Sequence, residues 1–152
     1  MKTYPLMISL KFPVSHRRKG KPTGFVKKIL NGTKIHTIRS NYDLWLKRIE
    51  EVRNGDAELS LRYWSGLPYR SKQIEFKRLT SENLVGVQKL IFRDEFTIFP
   101  QIHEGGRIMD MQPKLLARND GLRYNDWVSW FSQNNYDRSK PFAIIHFTEF
   151  RY

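Results

Sequence analysis

The chain contains no cysteine. That excludes disulfide cross-links, thiolate catalysis and zinc sites built on cysteine, and it fits a reducing compartment. Its four histidines, His16, His36, His103 and His146, show no metal-ligand spacing, so neither a metal nor another cofactor is expected. No long apolar run is present: the stretch after Met1-Lys2-Thr3-Tyr4-Pro5 is broken at Lys11, too short for a signal segment or a membrane span. A soluble, cytoplasmic protein with no membrane partner is the expectation. There is no phosphate-cradling glycine loop, nucleophile elbow, repeat or low-complexity linker. The most informative absence is local. Residues 1–42 contain no Asp and no Glu.

Those 42 residues carry ten Lys or Arg, whereas the remaining 110 hold 17 basic and 15 acidic residues. Ten of the twelve excess positive charges thus lie in the N-terminal quarter. Pressure for solubility would scatter charge, whereas concentration points to a polyanionic partner, most simply nucleic acid. Aromatic residues make up 14% of the 152 residues, enough large side chains to build a core in one domain spanning 1–152.

Periodicity organises the chain. Leu6, Ile8, Leu10 and Phe12 alternate as in a half-buried strand that Pro13 ends. His16 to Pro22 has no apolar period and reads as an exposed, mobile loop. Thr23 caps a short helix carrying Phe25, Val26, Ile29 and Leu30, closed by Gly32; a second helix runs from Asn41 to the stop at Gly55. Strands are expected at Ala57 to Tyr63, around Ile74 and Phe76, at Leu84 to Phe92 and at Phe96 to Ile102. Gly105-Gly106 marks a hairpin into Arg107 to Met111. Pro113 opens a helix that Gly121 closes, Asn125 caps another, and Phe142 to Phe150 is a final strand. Strands bracketing short helices predict an α+β domain, a small mixed or antiparallel barrel with helices attached.

Two constellations carry binding chemistry. The run Arg17, Arg18, Lys19 and Lys21 continues into Lys27, Lys28, Lys34 and Arg39. It is either a solvated face or a track for a phosphate backbone, which would make binding salt-dependent. Around Gly66-Leu67-Pro68, Trp64 and Tyr69 interleave with Arg70 and Lys72. Rings that stack on bases beside cations that hold phosphates suit single-stranded nucleic acid. Equally, Trp64 can seal one end of a barrel. His146, in an apolar strand, reads as a core residue.

The third constellation is Gly32-x-Lys34-x-x-Thr37-Ile38-Arg39 after a short helix. It resembles the signature of ASCH domains, a branch of the PUA-like fold, in which a helix ends in Gly, then Lys, before a Thr-Ile-Arg strand. Gly55-Asp56 before a strand, Ala117 to Leu122 followed by Trp127, and the strand Ile144 to Phe150 fall in the family's order. The Arg93 to Met111 segment and the loop at 16–22 have no counterpart in it. The resemblance implies a PUA-like small β-barrel of about five to seven mainly antiparallel strands with a cleft facing the Lys-Thr-Ile-Arg strand. It also implies RNA binding. One bacterial branch instead removes the acyl group of N4-acetylcytidine with a Lys, a Thr and a Glu, which fall here at Lys34, Thr37 and Asp120.

Two functions follow as expectations. The first is a nucleic-acid-binding domain, RNA favoured, whose basic cleft joins Lys34, Thr37 and Arg39 to the Tyr69 to Lys72 turn. The second is an amidohydrolase for an N4-acylated cytidine-type nucleoside. There a desolvated Lys34 takes the Thr37 proton and an acid relays it. Lys34 and Thr37, three apart, face opposite ways on a regular strand and converge only if the chain turns at Ile35-His36. Asp120 is one methylene shorter than the family's Glu, and Asp120-Gly121 can also be a plain helix stop. A small closed pocket with Lys34, Thr37 and Asp120 within hydrogen-bonding reach favours the enzyme, and an open basic groove favours the binder.

Overall fold

The structure is a computed structural model, and it describes residues 1–93, 98–132 and 137–152. Within them, eight strands and four α-helices form an α+β fold. The strands are β1 (Lys2–Met7), β2 (His36–Ser40), β3 (Ala57–Trp64), β4 (Gln73–Leu79), β5 (Gly86–Phe92), β6 (Pro100–Glu104), β7 (Arg107–Asp110) and β8 (Phe142–His146). The helices are α1 (Phe25–Leu30), α2 (Tyr42–Arg53), α3 (Pro113–Asn119) and α4 (Tyr124–Phe131).

The strands hydrogen-bond into two sheets and do not close into one barrel. One has the order β1-β3-β4, with β1 parallel to β3 and β4 antiparallel to it. The other, β2-β8-β5-β6-β7, is antiparallel throughout. Strand β8 is buried at all five positions, as a central strand covered on both faces must be. Helix α2 presents Trp45, Ile49 and Val52 at helical spacing to the core. Asn41 starts it from a left-handed conformation, its side chain accepting from Leu44 N–H at 3.3 Å, which satisfies one of the orphan donors of the first turn. Phe92, Trp127, Phe131 and Phe142 form an aromatic cluster with neighbouring centroids 4.9 to 6.2 Å apart. Burial of such large rings is the main driving force available to a domain of this size.

Several boundaries differ from expectation. The first strand is Lys2–Met7 and not Leu6 to Phe12, because residues 8–12 leave the sheet and pair with the returning chain. Thr23 N–H donates to Leu10 O (3.0 Å), and Phe12 N–H to Lys21 O (2.9 Å). The alternation of Leu6, Ile8 and Phe12 still reports burial, since Ile8 N–H keeps one bond to Arg62 O. Thr23 acts as a cap from one residue before the usual position, its Oγ1 accepting from Phe25 N–H at 3.2 Å. Helix α4 starts at Tyr124, so Asn125 lies inside its first turn and not at its cap. The last strand stops at His146. Of the strand expected at Phe96 to Ile102, Phe96 and Thr97 lie outside the described residues, Ile98 and Phe99 precede the strand, and Pro100 to Ile102 pair as part of β6.

The run at 16–22 is exposed at Arg17, Lys19, Gly20, Lys21 and Pro22, as expected, but it is also docked. Consecutive tight turns fold it (His16 N–H to Pro13 O, Lys19 N–H to His16 O, Lys21 N–H to Arg18 O), and α4 holds it. His16 is buried and stacked on Phe12 at 4.4 Å. Its Nε2 donates to Asp126 O at 2.8 Å while Nδ1 accepts from Arg18 N–H at 2.9 Å.

Candidate active site

Lys34 sits just before β2, where three elements meet. Its N–H donates to Lys28 O at the end of α1, Ile35 N–H donates to Asn119 O at the end of α3, and Phe147 N–H donates to Ile35 O after β8. This stitching takes Lys34 off the strand register. Lys34 and Thr37 therefore line the same cavity, as the expected irregularity at Ile35-His36 requires. The third member comes from the end of α3. Asp120 is followed by Gly121 at φ 75°, and Leu122 N–H bonds back to Ala117 O at 2.9 Å. The helix stop is real, and it also delivers the carboxylate.

The cavity, of about 240 Å³, is lined among others by Lys34, Thr37, Arg39, Asp120, Phe25 and Trp130. Lys34, only 2% exposed, donates from Nζ to Asp120 Oδ1 (2.6 Å) and to Asp120 O (2.7 Å), and Nζ lies 4.2 Å from the centre of the Phe25 ring. Burial pushes the Lys34 ammonium below its ordinary value, and the facing carboxylate only partly offsets this. For Asp120 burial acts upward, but the Lys34 charge and His36 outweigh it and hold the carboxyl below the usual range. Arg39, on the same face of β2 as Thr37, donates from Nη1 to Thr37 Oγ1 (2.7 Å) and from Nη2 to Met7 O (2.6 Å). A guanidinium on that oxygen favours its deprotonation.

Gly121 is required twice here. Its φ lies where only glycine is unstrained, and an added Cβ would stand 3.0 Å from Lys34 Cβ. Gly121→Ala is expected to destabilise the fold by roughly 1–3 kcal/mol and to displace the Lys34 side chain. Urea unfolding and crystallography of the variant check both, and an unchanged midpoint would contradict the packing argument.

The cations expected to form one open face are largely engaged within the protein. Arg17 Nη2 and Arg18 Nη1 reach the two oxygens of buried Asp126 at 2.9 and 2.8 Å. These guanidiniums hold the Asp126 carboxyl below its usual range although burial opposes it. Lys28 donates to Gly121 O (2.7 Å) and Thr23 O (3.1 Å), and burial, then Arg18, lower its ammonium. Lys19, Lys21 and Lys27 are exposed. The expected continuity with the β3–β4 turn is not observed. Tyr69, at φ 63° and 88% exposed, packs on Trp64 at 5.2 Å, and Arg70 and Lys72 are exposed. Among the described residues the cavity takes no side chain from this turn.

Behind Asp120 lies a buried polar group that residue patterns did not single out. His36 Nδ1 stands 3.6 Å from Asp120 Oδ1, and His36 Nε2 is 2.6 Å from the Tyr152 hydroxyl. Asn119 Nδ2 donates to that hydroxyl at 3.0 Å. His146 Nε2 donates to Gln88 Oε1 at 2.9 Å. His36 is an unspecified position of the Gly32 to Arg39 motif, and neither it nor Tyr152 carried a signal in the residue pattern. Among the described residues no group of His, Asp and Glu is arranged to hold a metal ion, and no helix is long and apolar enough to cross a membrane.

Comparison with protein-family models, curated proteins and solved structures returned no match.

Proposed function

We propose that the cavity hydrolyses an amide carried by a nucleobase, the substrate class being N4-acylated cytidine-type nucleosides. The observation that carries this reading is that Lys34 and Thr37, from one stretch of chain, and Asp120, from the end of α3, line one cavity of about 240 Å³. That is below the usual size of small-molecule sites, about 300–1,000 Å³, and so on the scale of a single base. The order of residues resembling ASCH domains supports the same reading, with the two sheets as the opened walls of a PUA-like barrel. Asp120, though shorter than the family's Glu, reaches Lys34 at 2.6 Å.

The proposed chemistry starts from the Lys34–Asp120 pair; Thr37 Oγ1 accepts from Arg39 and shares the cavity with Lys34 without a hydrogen bond to it. Two hydrogens of the Lys34 amine are held by Asp120, which leaves one tetrahedral position on Nζ. That position carries the third hydrogen in the ammonium and a lone pair in the amine. Burial favours the amine, which takes the Thr37 proton as Oγ1 attacks the acyl carbon. The carbonyl electron pair moves to oxygen and then returns, breaking the C–N bond. The Lys34 ammonium protonates the departing exocyclic nitrogen, giving the cytosine amine and an acyl ester on Thr37. Water, deprotonated by the Lys34 amine, attacks the ester, releasing carboxylate and restoring the Thr37 hydroxyl. Phe25 and Trp130, centroids 5.8 Å apart, offer apolar ring surface to a base.

Incubation with N4-acetylcytidine is expected to release cytidine and acetate. Thr37→Ala should lower turnover by about 10³-fold or more, whereas Thr37→Ser keeps a hydroxyl and retains part of it. Equal rates in wild type and Thr37→Ala would retire the reaction.

A second reading, RNA binding, is favoured by Lys19, Lys21 and Lys27, which remain exposed, and by the crowding of Arg18 and Arg123 around Lys28. Positive charge beside the cavity suits a base presented within a phosphate backbone. Comparing the free nucleoside with a short oligoribonucleotide carrying the same modified base separates the two.

A further inference from the structure

We propose that His36 is a positioning residue, set in one tautomer by Tyr152 and Asn119, that holds the Asp120 carboxylate ionised and aligned on Lys34. This rests on the hydrolase reading for its kinetic consequences only.

The inference follows from counting hydrogens. The Tyr152 oxygen accepts from Asn119 Nδ2 at 3.0 Å, so its own hydrogen is available to donate. The acceptor in reach is His36 Nε2 at 2.6 Å. A neutral imidazole that accepts at Nε2 carries its hydrogen on Nδ1. His36 is completely buried, and Nδ1 is its one ring nitrogen without a hydrogen-bond partner. That atom stands 3.6 Å from Asp120 Oδ1, the same oxygen that accepts from Lys34. The distance is long for a hydrogen bond, but an N–H beside the carboxylate in a dry environment favours its charged form. The opposite tautomer would set a nitrogen lone pair against the carboxylate. From the other side His146 approaches His36 with ring centroids 5.6 Å apart. Its Nε2 hydrogen is committed to Gln88, and its Nδ1, though buried, makes no hydrogen bond to His36. The charged and titratable groups facing His36 are thus Asp120, Lys34, Tyr152 and His146.

The alternative is that His36 only fills space. Its side chain is enclosed like any core residue, and removing it would then cost stability without touching the chemistry. Three variants separate the cases. His36→Leu deletes both ring nitrogens. His36→Asn keeps an amide N–H near the Nδ1 position. Tyr152→Phe removes the hydroxyl that sets the tautomer.

In the wild-type protein, ¹⁵N NMR of the imidazole is expected to show His36 protonated on Nδ1 and bare on Nε2. The Asp120 carboxyl titration, followed by ¹³C NMR, should move upward in Tyr152→Phe and further in His36→Leu. Under the hydrolase reading, kcat should fall ~10–100-fold in His36→Leu, the range found for groups acting through a site residue, with KM nearly unchanged. His36→Asn should recover most of that loss, and the pH–rate profile should shift in His36→Leu but not in His36→Asn. A ring protonated on Nε2 overturns the proposal, and so does a pH–rate profile that His36→Leu leaves in place. If the wild type hydrolyses no acylated nucleoside, the reaction assignment fails and the two NMR measurements decide the His36 proposal alone.

Discussion

Replacing Lys34 by Met is expected to lower the free energy of unfolding by about 3–5 kcal/mol and, under the hydrolase reading proposed above, to abolish turnover. The loss of activity follows because Met offers no base for the Thr37 proton. The loss of stability has a different origin. Asp120 and Lys34 are both almost fully enclosed, with side chains 5% and 1% exposed. Deleting the cation leaves a carboxylate in the interior with its backbone turn and the His36 dipole as its remaining support. The substitution itself is nearly volume-conserving, so the penalty is electrostatic and not a cavity effect. The double variant Lys34→Met/Asp120→Leu tests this separation. It removes both charges, and the desolvation cost of both, and should regain most of the stability lost in the single variant while remaining inactive. Urea unfolding of the wild type, both single variants and the double variant closes the cycle. A coupling near zero would mean that the pair is solvated in solution, and the amine would then not be lowered by burial.

The site was readable from the sequence where its residues carry local signals and hidden where they meet across the fold. Lys34, Thr37 and Arg39 stand close in sequence, so their spacing and the glycine before them expose the motif. Asp120-Gly121 had a visible helix stop, but a stop says nothing about what the side chain faces; Ile35 N–H bonded to Asn119 O is what brings it to Lys34. The basic run misled for a related reason. Composition shows that Arg17 and Arg18 lack acidic neighbours in sequence, yet Asp126, more than a hundred residues on, is paired with both. Charge patterning along a chain reports solvated faces only when no distant partner folds back. Of the eight strands among the described residues, alternation exposed β3, turn residues and apolar runs exposed most of the others, and β2 was read only through the family resemblance. Their division into two sheets was not legible, since alternation fixes which face is buried and not which strand lies beside which. The break after Met7 had no signal because Leu6, Ile8, Leu10 and Phe12 keep the strand period across it.

The buried histidines predict how the fold meets acid. Burial lowers His36 below its ordinary value, and it lowers His146 to about 2, with His36 and Arg151 adding to the effect. Above about pH 6.5 both rings are neutral in the folded and unfolded chains and no stability is lost through them. As pH falls below that point the unfolded chain takes up a proton at each ring while the folded protein does not. Protons bound in the unfolded state then exceed those in the folded state, so stability falls with pH, with a slope approaching about 2.7 kcal/mol per pH unit for two such groups. Asp120, held below its ordinary value, contributes with the same sign at lower pH, and Lys34, also lowered, contributes with the same sign wherever the folded protein has lost a proton that the unfolded chain keeps. A comparison in which Lys34 and Asp120 are common to both proteins therefore isolates the histidine. His146→Gln keeps an amide N–H that can reach Gln88 Oε1 and carries no titrating ring. Urea unfolding between about pH 5 and 7.5 should show its slope reduced by one proton, about 1.4 kcal/mol per pH unit, relative to the wild type. Parallel slopes in the two proteins would show that His146 takes up its proton in the folded state, and that the polar group behind Asp120 is open to water.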